Sequence, residues 1–162
     1  MSVNQWVFKF RDLHERFRAG KLDDIDRRTY FADREQFAKA LLNAQGLSMD
    51  AGQSARRSFR IAQGMQMDLS FNTGNVRCMT LDISCGGFSV MLHQPPSEQE
   101  QPGFSLRMPG NAEPLMGRAR FISAQRKMGT HRVSYSFIDL PQKDVERLET
   151  VLFDIALERL KG

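Results

Sequence analysis

The chain has 162 residues, 41% of them apolar, which supports one core of ordinary size with a small annex and excludes a string of large domains. Lys and Arg number 23 against 19 acids, a formal charge of +4 that suits an anionic partner: nucleotide, nucleic acid or acidic lipid. Cys78 and Cys85 match neither a zinc-ligand pair nor a redox C-x-x-C, and two thiols are too few for a disulfide framework, so reduced thiols and no metal are expected.

The N-terminus mixes Asn4, Gln5 and Lys9 with its apolar residues, unlike a signal peptide, and no run approaches the ~18 apolar residues of a membrane-spanning helix. A cytoplasmic location without membrane insertion is expected. Trp6, Phe10, Leu13 and Phe17 recur at helical spacing and predict a helix over 4–18, with Gly20 as its stop. A second helix is predicted from Asp23 or Asp24, whose carboxylates suit an N-cap, to about Gln45, with Gly46 ending it. Its expected apolar stripe is Ile25, Tyr30, Phe37, Leu41 and Ala44, interrupted by Arg27, Arg28 and Asp33. Two short helices cannot bury this much aromatic surface by themselves. They need the rest of the chain or a second copy, so a homodimer through the helical faces is one expectation.

Over 47–55 the text changes to turn and linker residues, among them Ser48, Asp50, Gly52, Gln53 and Ser54. The predicted organisation is a helical extension over 1–50 and a second domain over 51–162. Within the latter, short runs with partial alternation predict strands at 59–70, 76–83, 87–92, 103–108, 113–123 and 131–137. Turn residues separate them, including Asn72-Thr73-Gly74-Asn75, Pro109-Gly110-Asn111 and Lys127-Met128-Gly129. Six short strands without long intervening helices argue for an antiparallel barrel or sandwich. Met65, Met67, Met79, Met91, Met108 and Met116 fall in strand text and are expected as flexible core filler. The last segment, 143–160, returns to helical period with an apolar arc wide enough for contact with two surfaces.

Two segments carry recognition chemistry. Arg56-Arg57-Ser58-Phe59-Arg60 places three guanidiniums before a strand, and such forks bind phosphate bidentately and stack on bases. Taken alone it also reads as a solvated basic linker. Leu81-Asp82-Ile83-Ser84-Cys85-Gly86-Gly87-Phe88 ends a strand in a turn. There Asp82 can accept from a guanine's N1–H and N2–H₂ edge, Ser84 can bond base or phosphate, and Gly86 and Gly87 permit close backbone approach. Taken alone it also reads as a capped hairpin turn. Arg118 and Arg120 alternate on a later strand and are expected to share one face, a further source of stacking guanidinium.

Together, Arg56-x-x-x-Arg60 and Asp82-x-Ser84-x-x-Gly87 resemble the two-part signature of the PilZ family of bacterial cyclic di-GMP receptors. The resemblance runs from about 56 to 160 and leaves the first 50 or so residues outside it. It implies an α+β, mainly β fold: a six-stranded antiparallel barrel with a closing C-terminal helix, here preceded by a two-helix extension. The implied ligand is cyclic di-GMP, with no other cofactor. Arg56 and Arg60 would grip phosphates and guanine Hoogsteen edges, often of an intercalated ligand dimer, with Arg57 beside them. Asp82 and Ser84 would hold a guanine, and Gly86 and Gly87 would keep the turn open. Unliganded arginines in a linker repel each other and stay mobile. Phosphate would neutralise them, fold the linker against the barrel and move the N-terminal helices, regulating a downstream protein.

No enzyme constellation is visible, since His14, His93 and His131 are scattered and Ser84 has no evident base. Two other classes compete. One is a protein-docking barrel that binds no nucleotide, against which the intact motif residues argue. The other is a single-strand nucleic-acid barrel, against which the placement of Trp6, Phe8, Phe10, Phe17, Phe31 and Phe37 in helical text argues.

Overall fold

Ser2 opens the first helix, α1 (Val3–Arg18). Its Oγ accepts the Gln5 N–H at 3.2 Å while Gln5 Oε1 accepts the Ser2 N–H at 3.1 Å, a reciprocal cap. Asp23 caps the second helix, α2 (Asp24–Ala44), by accepting the Asp26 N–H at 2.7 Å. Gly20 and Gly46, with φ of 70° and 67°, follow the two helices in the left-handed conformation that glycine adopts without strain. The computed structural model describes residues 2–46 and 54–160, and the chain divides into two compact units, Met1–Phe59 and Arg60–Gly162.

In the first unit, aromatic side chains from α1 and α2 meet. Phe10 stacks on Tyr30 at 5.7 Å and Phe17 on Tyr30 at 4.7 Å, while His14 Nδ1 and the Tyr30 hydroxyl are 2.6 Å apart. The Arg34 guanidinium lies 5.5 Å from the Tyr30 ring centre and is buried, so its charge is set against aromatic faces. The stripe on α2 differs from the expected one. Ile25 and Ala44 are exposed, and the inner face is Tyr30, Arg34, Phe37, Ala38 and Leu42. Ile25 stands five residues before Tyr30, which at ~100° per residue turns it well away from that face. On α1, His14 is buried and Leu13 only half-buried, because the inward line passes through Phe10, His14 and Phe17.

The linker expected at 47–55 lies outside the described residues as far as 53. From there the arginine-bearing segment is a helical turn, α3 (Ala55–Ser58), not an extended linker. The Glu35 carboxylate on α2 accepts the Ser54 hydroxyl at 2.9 Å and the Ala55 N–H at 3.1 Å, which satisfies the start of this turn.

The second unit is a closed barrel of six antiparallel strands in the order β1-β2-β3-β6-β5-β4. These are β1 (Gln66–Phe71), β2 (Gly74–Ile83), β3 (Gly87–Leu92), β4 (Gly103–Leu106), β5 (Leu115–Lys127) and β6 (Thr130–Ile138). The six-stranded antiparallel barrel with a C-terminal helix and an N-terminal helical pair agrees with the expectation. The first strand starts later than expected, at Gln66, and before it the chain meets β2 through the isolated Ile61↔Ile83 bridge and the Thr80 N–H to Met65 O bond of 2.9 Å. A side chain interrupts the ladder there: Thr80 Oγ1 donates to Gln63 O at 2.6 Å and accepts the Met65 N–H at 2.9 Å. β5 and β6 run further than expected and meet in a two-residue turn whose Met128 and Gly129 have φ of 50° and 85°, the handedness that matches strand twist.

Alternate residues point inward. Phe88, Phe104, Tyr135 and Phe137 form the aromatic centre of the barrel, with ring centres 5.1 Å apart for Phe104 and Phe137 and 5.5 Å for Phe88 and Tyr135. Met65, Met67 and Met108 are core residues as expected, whereas Met79 and Met116 are exposed because they sit on the outward phase of their strands. The last helix, α4 (Gln142–Leu160), is tied at both ends to the barrel chain. Arg147 donates to Glu113 O at 2.7 Å, and Arg159 donates to Ala62 O and to Gln63 Oε1. Among the described residues no helix is long and apolar enough to cross a membrane, no group of His, Cys, Asp and Glu could hold a metal, and Cys78 and Cys85 are not joined by a disulfide.

Candidate functional site

β2 turns into β3 through Ser84, Cys85 and Gly86. The Ser84 N–H donates to Gly87 O at 2.9 Å, and the Ser84 hydroxyl oxygen accepts the Gly86 N–H at 3.1 Å, so the serine side chain shapes its own turn. Gly86 O accepts the Phe137 N–H at 2.9 Å, which ties the turn to β6. The two glycines meet different demands. A Cβ on Gly87 would stand 2.0 Å from Tyr135 O, whereas one on Gly86 would meet only Ser84 Oγ at 3.7 Å. The sequence suggested that both hold the turn open; in the fold Gly87 lets two strands approach each other.

Asp82 follows the barrel alternation outward, since Ile83 beside it is fully buried. Its carboxylate Oδ2 accepts from Arg132 Nη2 at 2.7 Å, across β3 from β6. Beside this pair, Ser89 and Ser134 share a hydroxyl hydrogen bond of 2.8 Å. Arg132 was not picked out from the sequence. The two residues are 50 positions apart, and only the β2–β3–β6 register brings them together.

The arginine motif is placed in two parts. Ile61 exchanges backbone hydrogen bonds with Ile83 at 2.8 and 2.9 Å, so exposed Arg60, one residue earlier, lies alongside the start of the Ser84 turn. Arg56 and Arg57 sit half-buried on α3, in the helical unit, where the Arg56 guanidinium lies 5.8 Å from the centre of the Phe31 ring. Arg118 and Arg120 are both exposed on β5 with buried Ala119 between them, so they share the outer face. Arg120 is paired with Ser136, which is paired with Gly87, a row spanning roughly 10 Å at the usual strand spacing.

The barrel's outer face around the turn thus presents guanidiniums, hydroxyls and one carboxylate, donors and acceptors for an anionic ligand with hydrogen-bonding edges. The interior behind it is held neutral. Burial above all, with Glu100 and Cys78 adding, pushes the Tyr135 hydroxyl up to about 12. Burial and then Asp68 push the Cys78 thiol up to about 11. Neither group carries charge at neutral pH.

Several solved structures share this architecture. YcgR from Escherichia coli in complex with c-di-GMP aligns with a TM-score of 0.56 at 20% identity over 64% of this chain and 46% of that one. The inhibitor of motility MotI/DgrA from Bacillus subtilis aligns with a TM-score of 0.53 at 16% identity over 61% of this chain and 49% of that one. The MrkH–c-di-GMP complex from K. pneumonia aligns with a TM-score of 0.52 at 18% identity over 63% of this chain and 52% of that one. The aligned part therefore spans about half the length of each of these proteins, and at such identities the likeness is one of fold. No curated protein matches the sequence. The family model described as PilZ domain matches residues 54–154, which takes in the whole arginine motif, the Asp82 turn and all six strands, and the chain accordingly belongs to the PilZ domain family.

Proposed function

We propose that this protein is a cyclic di-GMP receptor that couples ligand binding to a rearrangement of its N-terminal region and so regulates a partner protein. The observation that carries this reading is the Ile61–Ile83 bridge, which sets Arg60 beside the turn bearing Asp82, Ser84, Gly86 and Gly87 on one outer face. Arg60 supplies a fork for phosphate or a guanine Hoogsteen edge, Asp82 accepts from a guanine's N1–H and N2–H₂, and Ser84 supplements it. Arg56 and Arg57, a few residues earlier in the chain, add guanidiniums for the ligand's phosphates, and Arg120 with Arg118 extends the cationic surface. The c-di-GMP present in the YcgR and MrkH complexes supports the ligand class. Motility, pili, polarity and exopolysaccharide are the candidate outputs, motility having the support of MotI. The exposed Val3, Phe8 and Ile25 of the helices offer apolar surface for a homodimer.

Titration calorimetry tests the site. The native chain binds cyclic di-GMP, and Arg60→Ala and Asp82→Ala each weaken binding by about tenfold or more, as loss of a charge-assisted contact predicts. Unchanged affinity in both variants would remove the site as drawn, and no binding by the native chain would return the barrel to the docking-module class.

A further inference from the structure

The β5–β6 hairpin outruns its neighbours. β4 pairs with β5 only from Leu115 to Arg118, and the last bond on that side runs from the Ala119 N–H to Pro102 O at 3.0 Å. β6 is covered by β3 down to the Leu92↔His131 pair. Beyond Ala119, the edge of β5 that faces away from β6 has no strand partner among the described residues, although its other edge stays paired as far as Lys127↔Thr130. Every residue from 122 to 129 is exposed. Such an edge is a row of backbone donors and acceptors in register for one more strand.

Charge sets what that strand can be. From 115 to 138 there is no Asp or Glu, while Arg118, Arg120, Arg126, Lys127 and Arg132 are all present. Among the described residues Arg132 is paired with Asp82, and the other four make no ion pair. A second copy of this chain, docked edge to edge, would set these cations against each other, which is unfavourable across strands. A lipid surface or nucleic acid would meet the charge and leave the backbone edge unused. An extended acidic segment satisfies both.

We infer that the open edge of β5, residues 121–127, is the docking edge for an extended acidic segment of a partner protein, which joins the sheet as an additional strand. Main-chain hydrogen bonds hold the segment, and its carboxylates meet Arg126 and Lys127. Ile122, 58% exposed at the irregularity between Phe121 and Ser123, gives it an apolar contact. The inference does not rest on cyclic di-GMP binding, because Arg126 and Lys127 belong to no part of that site.

The probe is a short synthetic peptide of glutamate pairs separated by single threonines, which sets carboxylates on both faces of the added strand as the adjacent Arg126 and Lys127 require, added to the full chain. Its expected signature is slowed amide hydrogen exchange over 121–127, and an affinity that falls about tenfold in the double variant Arg126→Glu, Lys127→Glu, whose cyclic di-GMP titration is unchanged. The same peptide N-methylated at alternate residues keeps its charge but cannot pair as a strand, and it loses binding. Equal binding of the N-methylated peptide, unchanged exchange at saturation, or no binding of the parent peptide overturns the proposal. So does slowed exchange at these amides with duplex DNA or phosphatidylglycerol vesicles in place of the peptide.

Discussion

Gly87 stands where β3 leaves no room for a side chain against β6: a Cβ there would stand 2.0 Å from Tyr135 O. The obstacle is backbone inside a ladder, which cannot yield as the tip of a side chain can. Gly87→Ala is therefore expected to destabilise the barrel by about 2–4 kcal/mol in urea unfolding, and Gly86→Ala by less than about 0.5 kcal/mol. Equal losses would show that both glycines serve the turn's backbone angles. That a glycine belongs at this position was readable in the D-x-S-x-x-G spacing, but the reason was not, because the oxygen it avoids lies 48 residues further on, across a strand pairing. Asp82 is a parallel case: its chemistry was legible, its partner Arg132 was not.

α3 is too short to be stable as an isolated helix, and it is held by what its ends touch. Glu35 accepts both the Ser54 hydroxyl and the Ala55 N–H, while Arg56 lies over Phe31, one turn before Glu35 on α2. Glu35→Ala is expected to cost about 1 kcal/mol, the usual value of a lost cap, and to speed amide exchange over 55–58 while leaving exchange in the barrel strands unchanged. If exchange at 55–58 stays as slow as in the native chain, Glu35 is not what orders the turn. Elements with strong local signals were the ones best read from sequence: the cap at Asp23, the bounds of β3, the Met128-Gly129 turn. The start of β1 was misread because the Thr80 side chain replaces ladder bonds there, and a remote hydroxyl leaves no mark on the alternation of 59–70.

At the scale of the molecule, the division between compact units falls between Phe59 and Arg60, inside the arginine motif. If Arg56 and Arg60 grip one ligand, binding constrains the chain between the units. Small-angle scattering of the full chain should therefore change in radius of gyration when cyclic di-GMP is added to saturation. An identical curve in a sample shown by calorimetry to be fully bound would leave the receptor reading standing and remove its coupling to the N-terminal region.

What the sequence determined by itself was everything that rests on neighbours along the chain. Helical period and caps, strand alternation, turn residues and the spacing of two short motifs specified a helical pair, six strands, a closing helix and the family. Tertiary structure decided which residues meet. It turned Ile25 to solvent and Arg34 inward, set Arg132 on Asp82, gave Gly87 its constraint and left one edge of β5 open. The physical reason is that periods of 3.6 and 2 are local properties of a backbone, whereas register and strand order come from summed packing across the sheet, and no single residue's neighbours along the chain contain that sum.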